Sequence, residues 1–231
     1  RSDGARPAAA RLTGDRWAGS LVAMRIATFN INGIKARIGA LTGWLREAEP
    51  DAVVLQELKS VDETVPRDAL EDLGYTVETH GQKGFNGVAI LAKGPIEDVA
   101  RGLPGDEDDA QARWIEGTVF GDGGGAVRLC GLYLPNGNPA PGPKFDYKLA
   151  WMARLETRAR ALLADEMPGV LAGDFNVIPE RRDAARPETW EHDALFLPES
   201  RAAWRRILNL GLHDATRELS QENGLYSFWD Y

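Results

Sequence analysis

The chain has 231 residues, 43 % of them hydrophobic, enough for one large domain or two small ones with a substantial core. Its formal net charge of −8 excludes a generic electrostatic binder of nucleic acid, so contact with DNA would have to run through a local patch. No apolar run approaches the roughly 18 residues of a membrane span, and a lone cysteine, Cys130, excludes an internal disulfide and points to a reducing compartment, the cytoplasm.

Residues 1–23, "RSDGARPAAARLTGDRWAGSLVA", lack periodicity, and Arg1, Arg6, Arg11 and Arg16 oppose only Asp3 and Asp15. Met24 stands just before a strand, so this stretch reads as a non-native or disordered extension rather than a targeting peptide. "MRIATFN" predicts a strand. "GALTGWLREAEP" predicts a helix with Leu41, Trp44, Leu45 and Ala48 on one face, stopped by Pro50. "DAVVLQE" predicts a short buried strand, and "RDALEDLGY" a helix capped by Gly74. Five strand-like runs follow: "YTVETH", "GVAILAK", "PIEDVAR", "RWIEGTVF" and "AVRLCGLYL". A long helix is expected over about 144–166, with Trp151, Leu155, Ala159, Leu162 and Leu163 on one face. "GVLAGDFN" predicts another buried strand, 179–200 a long loop, and "RAAWRRILNLGL" a last helix. This rhythm of helices and strands, repeated twice, implies two sheets packed face to face with helices outside. The chain closes on "YSFWDY", four aromatics in six positions, which suits a core or a site wall better than a polar tail.

Four of the apolar strands end in chemistry: Asn30, Glu57, Tyr133 with Asn136, and Asp174 with Asn176. A rigid strand tip holds a side chain better than a loop does. Oxygen ligands around a carboxylate suit Mg²⁺, and a phenol and amides can donate to a phosphate, a set that would support metal-assisted phosphodiester hydrolysis. Singly, each piece has a plainer reading: Glu57 as a solvated turn residue, Asn30 and Asn176 as turn formers, Tyr133 as a core ring, Asp174 as an Asx-turn.

Taken together and in order, "FNINGIKAR", "LQELK", "HGQKGFNGVAIL", "LPGDEDDAQARWI", "YLPNG", "GDFNVIP" and "SFWDY" resemble the exonuclease III branch of the endonuclease/exonuclease/phosphatase superfamily. "LQE" and "GD.N" fit the whole superfamily, whereas "NINGI", "GQKG.NGVA" and "FWDY" single out that branch. The resemblance implies an α+β fold, a four-layered αββα sandwich of two mainly antiparallel sheets flanked by helices, over residues 24–231. It implies a DNA-repair phosphodiesterase acting as a 3′–5′ exonuclease on duplex DNA and as an endonuclease at abasic sites, needing Mg²⁺ or its substitute Mn²⁺, and working as a monomer. Carried onto this chain, Glu57 and Asn30 would hold the metal. Asp174 would orient or deprotonate the attacking water, Asn176 would position phosphate and nucleophile, and Tyr133 and Asn136 would contact the scissile phosphate. Gln82, Lys83, Asn86 and Arg113 resemble contacts to the DNA backbone. Phe228 and Trp229 resemble the wall of a pocket for a flipped-out abasic sugar, which rings can fit while excluding an intact base.

The family continues past "FWDY" with an "R.D"-like word and a terminal "SDH.P" word, and neither is present. Of the three histidines, His80 reads as a loop residue, and His192 and His213 as surface or helix-end residues. The resemblance therefore implies a domain incomplete at its C-terminus, with the last strands of the second sheet missing and weak stability and activity expected. "GDEDD" at 105–109 reads as a solvated face, "ERRDAAR" as a mobile loop or a DNA contact, and "GDGGGA" as a turn. Two other functions fit the same sequence. One is a superfamily phosphodiesterase or phosphatase acting on RNA, lipid or inositol phosphates. The other is a DNA-binding module without catalysis.

Overall fold

Hydrophobic runs of five to eight residues alternate with amphipathic helices along the chain. In the computed structural model, which describes residues 24–121 and 124–228, these runs make two four-stranded sheets. The first contains β1 (Ile26–Asn30), β2 (Ala52–Gln56), β3 (Thr76–His80) and β4 (Val88–Ala92) in the order β1-β2-β4-β3. The second contains β5 (Ile96–Arg101), β6 (Trp114–Phe120), β7 (Ala126–Tyr133) and β8 (Gly169–Asp174) in sequence order. Four of the six strand pairings are antiparallel, as expected, but each sheet also has one parallel pair. A parallel pair needs a crossover. α1 (Ile34–Ala48) supplies it between β1 and β2, and α3 (Pro143–Ala164) between β7 and β8.

Three buried layers hold the sandwich together. Val54, Ile90, Ile115 and Leu129 pack between the sheets. Leu41 and Leu45 of α1 cover the outer face of the first sheet together with Leu70 and Tyr75, which come from α2 (Asp68–Glu71) and the turn after it. Trp151, Leu155 and Leu162 of α3 cover the second sheet, joined by Ala203 and Ile207 of α4 (Pro198–Leu208). This is the four-layered sandwich the sequence implied. A polar tie crosses the second pair of layers. Glu116 of β6 accepts from Arg128 of β7 at 2.8 Å and from Arg158 of α3 at 2.7 Å, and the two guanidiniums hold its carboxyl below the usual range against the opposing effect of burial. Cys130 lies buried beside it, and burial pushes its thiol up, as a small inert hydrophobe requires.

Several local expectations need correction. β8 is half-buried, not buried, because it is the last strand of its sheet among the described residues and has a partner only on the β7 side. Leu163 is exposed: 100° per residue turns it off the face that Leu155, Ala159 and Leu162 share. The stretch 179–200 is not a plain loop, since it holds two short 3₁₀ turns and the start of α4, and a further helix, α5 (Ala215–Leu219), follows with Asp214 as its N-cap. Asp109 of the acidic run is turned inward, where Arg154 and the Tyr147 hydroxyl bind its carboxylate. His80 ends a strand rather than sitting in a loop, with Nδ1 3.0 Å from the Trp114 carbonyl oxygen. The expectations for residues 1–23 and for Trp229 lie outside the described residues.

Candidate active site at the strand tips

Register places the polar residues. Parallel pairing sets Asn30 opposite Gln56, so the next residue of that strand, Glu57, emerges beside Asn30. Parallel pairing in the other sheet sets Tyr133 opposite Asp174. β1 lies beside β8 across the two sheets, which brings the two pairs to one place. The segment after β2 is fixed from both sides. Gly33 N–H donates to the Glu57 carbonyl at 2.8 Å, and Leu58 and Lys59 N–H donate to the Gly87 and Asn86 carbonyls at 3.1 and 3.0 Å. Within it Glu57 and Lys59 adopt left-handed backbone at φ 54° and 52°, and Asn176 does so at 46°. For the two residues other than Asn such a conformation costs of order 1 kcal/mol and persists where surrounding structure over-determines it, commonly at functional sites.

Asn30 is the hub. Its side-chain amide donates to Glu57 Oε1 at 2.8 Å and to Asp174 Oδ2 at 3.1 Å, so one nitrogen bridges two carboxylates that come from different sheets. The second Glu57 oxygen, Oε2, is 3.0 Å from Lys59 Nζ. Burial alone would raise the Glu57 carboxyl, but hydrogen bonds from Asn30 and Lys59 and the nearby Tyr133 hydroxyl outweigh it and hold the group below the usual range. Asp174 moves the other way. Burial and the Glu57 charge raise its carboxyl, and donation from Asn30 and from the Asn176 backbone N–H at 3.0 Å only partly offsets them. Burial and the Glu57 charge likewise raise the Tyr133 phenol, so it remains a proton donor at neutral pH. Asn176 donates to the Leu134 carbonyl at 2.8 Å, and its Oδ1 is 3.5 Å from Asn136 Nδ2, so both amides stand at this end of the sheet.

The residues expected on the DNA side form a chain leading into this group. The Arg113 guanidinium lies 4.8 Å from the centre of the Tyr133 ring and donates Nη1–H to the Tyr133 carbonyl at 3.2 Å. Its Nε–H donates to Gln111 Oε1 at 2.7 Å. Asn86 donates to Gln82 Oε1 at 2.9 Å and to Gln111 Oε1 at 3.3 Å, and is itself buried. Gln82 and Asn86 thus brace the glycine-bounded loop, while Lys83 at its tip faces solvent. Phe228 is 68 % exposed, and its ring neighbour is Trp190, edge-on at 6.5 Å between centroids, not a residue of the strand-tip set.

Sequence reasoning missed three residues here. Lys59 follows "LQE" and reads as an ordinary surface lysine, Gln111 gains its role only through the fold, and Lys148 lies inside an amphipathic helix. Lys148 is fully buried, and burial lowers its ammonium to about 7 while Asp193 and Asp174 oppose the shift.

Among the described residues no three or more His, Cys, Asp or Glu side chains are grouped so that they could together hold a metal ion. A cation at the strand tips would therefore take Glu57, the oxygen of Asn30 and at most one further carboxylate, Asp174. Such a sparse oxygen set fits Mg²⁺, which keeps several waters, better than Zn²⁺ or Ca²⁺, which take fuller protein cages.

The model of the Endonuclease/Exonuclease/phosphatase family matches residues 27–231. Exodeoxyribonuclease III of Haemophilus influenzae is 35 % identical over 215 residues, which cover 90 % of this chain and 80 % of that protein. Among solved structures, an AP endonuclease from Archaeoglobus fulgidus superposes with a TM-score of 0.83 at 33 % identity, covering 89 % of this chain and 78 % of the other. A 3′ phosphatase from Neisseria bound to a product DNA hairpin superposes with a TM-score of 0.85 at 36 % identity, covering 90 % and 79 %. The exonuclease III resemblance read from the sequence motifs holds across about nine-tenths of the chain.

Proposed function

We propose, from the premise that this chain belongs to the endonuclease/exonuclease/phosphatase family, that it is a divalent-metal-dependent DNA-repair phosphodiesterase of the exonuclease III type. Its substrates are duplex DNA with abasic sites or 3′ ends. The observation that carries this reading is the split between two neighbouring carboxyls, Glu57 held low and Asp174 raised, with Asn30 bridging them. Environments that push two titratable groups apart assign them different roles. Glu57 stays anionic and, with Asn30, would hold Mg²⁺, which when bound would neutralise charge on the phosphate and the leaving oxygen. Asp174, whose proton affinity burial raises, takes the proton from the attacking water. Oxygen adds to phosphorus in line, the bond from phosphorus to the 3′ oxygen breaks, and that oxygen leaves as a hydroxyl on picking up a proton. At an abasic site the products are a 3′-hydroxyl and a 5′-deoxyribose phosphate. Tyr133 donates a hydrogen bond from its neutral phenol to a non-bridging oxygen, and Asn176 and Asn136 hold the phosphate in place.

The site works on a monomer, and a single buried thiol suits the cytoplasm. Among the described residues no helix is long and apolar enough to cross a membrane. An incision assay on an abasic duplex, with and without Mg²⁺, tests the reading: metal-dependent nicking 5′ to the lesion is expected, and failure to cut any duplex would defeat it. The 3′ phosphatase among the similar structures supports a second reading of the same site. Release of inorganic phosphate from a 3′-phosphorylated duplex, without incision of the abasic strand, would favour it.

A further inference from the structure

Lys148 stands in the second turn of α3, on the face that otherwise carries Phe145, Trp151, Met152 and Leu155 into the core. It is wholly buried and, among the described residues, has no carboxylate in direct contact. A buried cation is costly unless every one of its donors is used. An ammonium has three protons, and Lys148 Nζ meets three carbonyl oxygens: Pro135 at 3.2 Å, Asn136 at 3.1 Å and Asn176 at 2.5 Å. The first two belong to the loop after β7 and the third to the loop after β8. The first loop is wrapped closely over the lysine stem. Gly137 lies at φ +92°, and a Cβ there would come within 2.6 Å of Lys148 Cδ. Only glycine permits both that backbone and that approach. Asn136 and Asn176, whose backbone carbonyls bind the ammonium, also bring their side chains to 3.5 Å of each other.

We propose that Lys148 is a positioning residue for the phosphodiesterase reaction, its ammonium tying the loops after β7 and β8 together from below and so setting Asn136 and Asn176 against the phosphate. The inference rests on the proposed activity, because it assigns a role within that site. A methionine or leucine at this position would fill the space but release all three carbonyls. The two amides would then be carried by loops with separate motions, and displacements of about 1 Å can cost 10²-fold in rate.

The test is a cycle of Lys148→Met, Asn176→Ala and the double variant, read by single-turnover cleavage of an abasic duplex and by hydrogen exchange across 134–138 and 175–178. Lys148→Met is expected to lower the single-turnover rate constant at saturating enzyme about 30-fold, with the half-saturating concentration changed by less than about threefold. In the Asn176→Ala background the same change is expected to cost less than about threefold, because its effect runs through that residue. Exchange in both segments is expected to quicken. Equal losses in the two backgrounds, or unchanged exchange, would overturn the proposal, since a lysine that merely supports the fold lowers activity regardless of Asn176. Lys148→Gln, which supplies two of the three donors without charge, stands in if Lys148→Met fails to fold; a loss smaller in the Asn176→Ala background again supports the tie, and an equal loss overturns it. If the parent chain cuts no DNA the proposed activity fails, while the exchange measurement still decides whether Lys148 holds the two loops.

Discussion

Asn30 joins Glu57 and Asp174 through one amide nitrogen, and the two carboxyls respond oppositely to their surroundings. Glu57 has an amide, an ammonium and a phenol arrayed around it, and these favour its ionised form against the opposing effect of burial. Its replacement by Ala removes the anchor for a cation and is expected to lower Mg²⁺-dependent cleavage at least about 10³-fold, the several kcal/mol a metal contributes to a phosphoryl transition state. Full activity in the Glu57→Ala protein would sink the metal assignment. Asp174 gives a prediction of different form. Its carboxyl is raised by burial and by Glu57, and only the ionised form accepts a proton from water. Rate should therefore climb with pH through a limb lying above the ordinary aspartate value of about 3.9. The same shift acts in reverse on stability: a raised carboxyl favours folding at acid pH, and that contribution fades as pH rises through its folded value. A single-turnover pH profile whose acid limb lies at or below the ordinary value would remove Asp174 as the base. These residues were legible in the sequence because each ends an apolar run, where a polar side chain breaks the pattern. Lys148 was not, since one lysine in an amphipathic helix looks like its solvated face until the fold shows what covers it.

At the scale of elements, the ends of four strands carry the site, and the close approach of the β7–β8 pair sets the position of two of them. β8 runs parallel to β7 with Gly173 opposite Leu132 and Asp174 opposite Tyr133. Gly173 has φ +149°, and a Cβ there would fall on the Leu132 carbonyl oxygen. No side chain can relieve a clash with backbone, so Gly173→Ala should force β8 away from β7 and carry Asp174 with it. We expect a loss of at least about 2 kcal/mol of unfolding free energy, measured by urea denaturation, together with loss of cleavage. A variant within about 0.5 kcal/mol of the parent would show that the strands tolerate separation. The "GD" pair could be read from sequence as a strand end, but not the reason for its glycine, which lies in a neighbour 41 residues earlier in the chain. Elements with strong periodicity were legible where the apolar stripe is regular, α1 from Gly39 to Ala48 and the α3 face through Trp151 and Leu155, but the first turn of α1, which starts at Ile34, was not. Half-burial of β8 and inward rotation of Asp109 were not, because both depend on which element lies alongside.

Over the whole molecule, two sheets with one helical crossover each place their parallel pairs side by side, and the strand tips of both meet at one end. The double rhythm of the sequence revealed the two sheets, but not that β1 would lie against β8, since no local pattern encodes which edges face each other. That arrangement concentrates Glu57 and Asp174 in a chain already carrying a formal charge of −8. Net repulsion of a polyanionic duplex by the molecule would then have to be offset locally, near the site by Lys59, Lys83 and Arg113. With about three phosphates neutralised, the logarithm of the binding constant should fall against the logarithm of salt concentration with a slope of about −3. Titration of an abasic duplex at several salt concentrations, without divalent metal so that no strand is cut, measures it. Lys83→Ala should flatten the slope by about one phosphate's worth, with equal weakening for abasic and intact duplexes, since a backbone contact carries no lesion preference. A slope steeper than about −7 would require a broad basic surface that this charge balance does not provide, and would move the DNA path away from the strand tips.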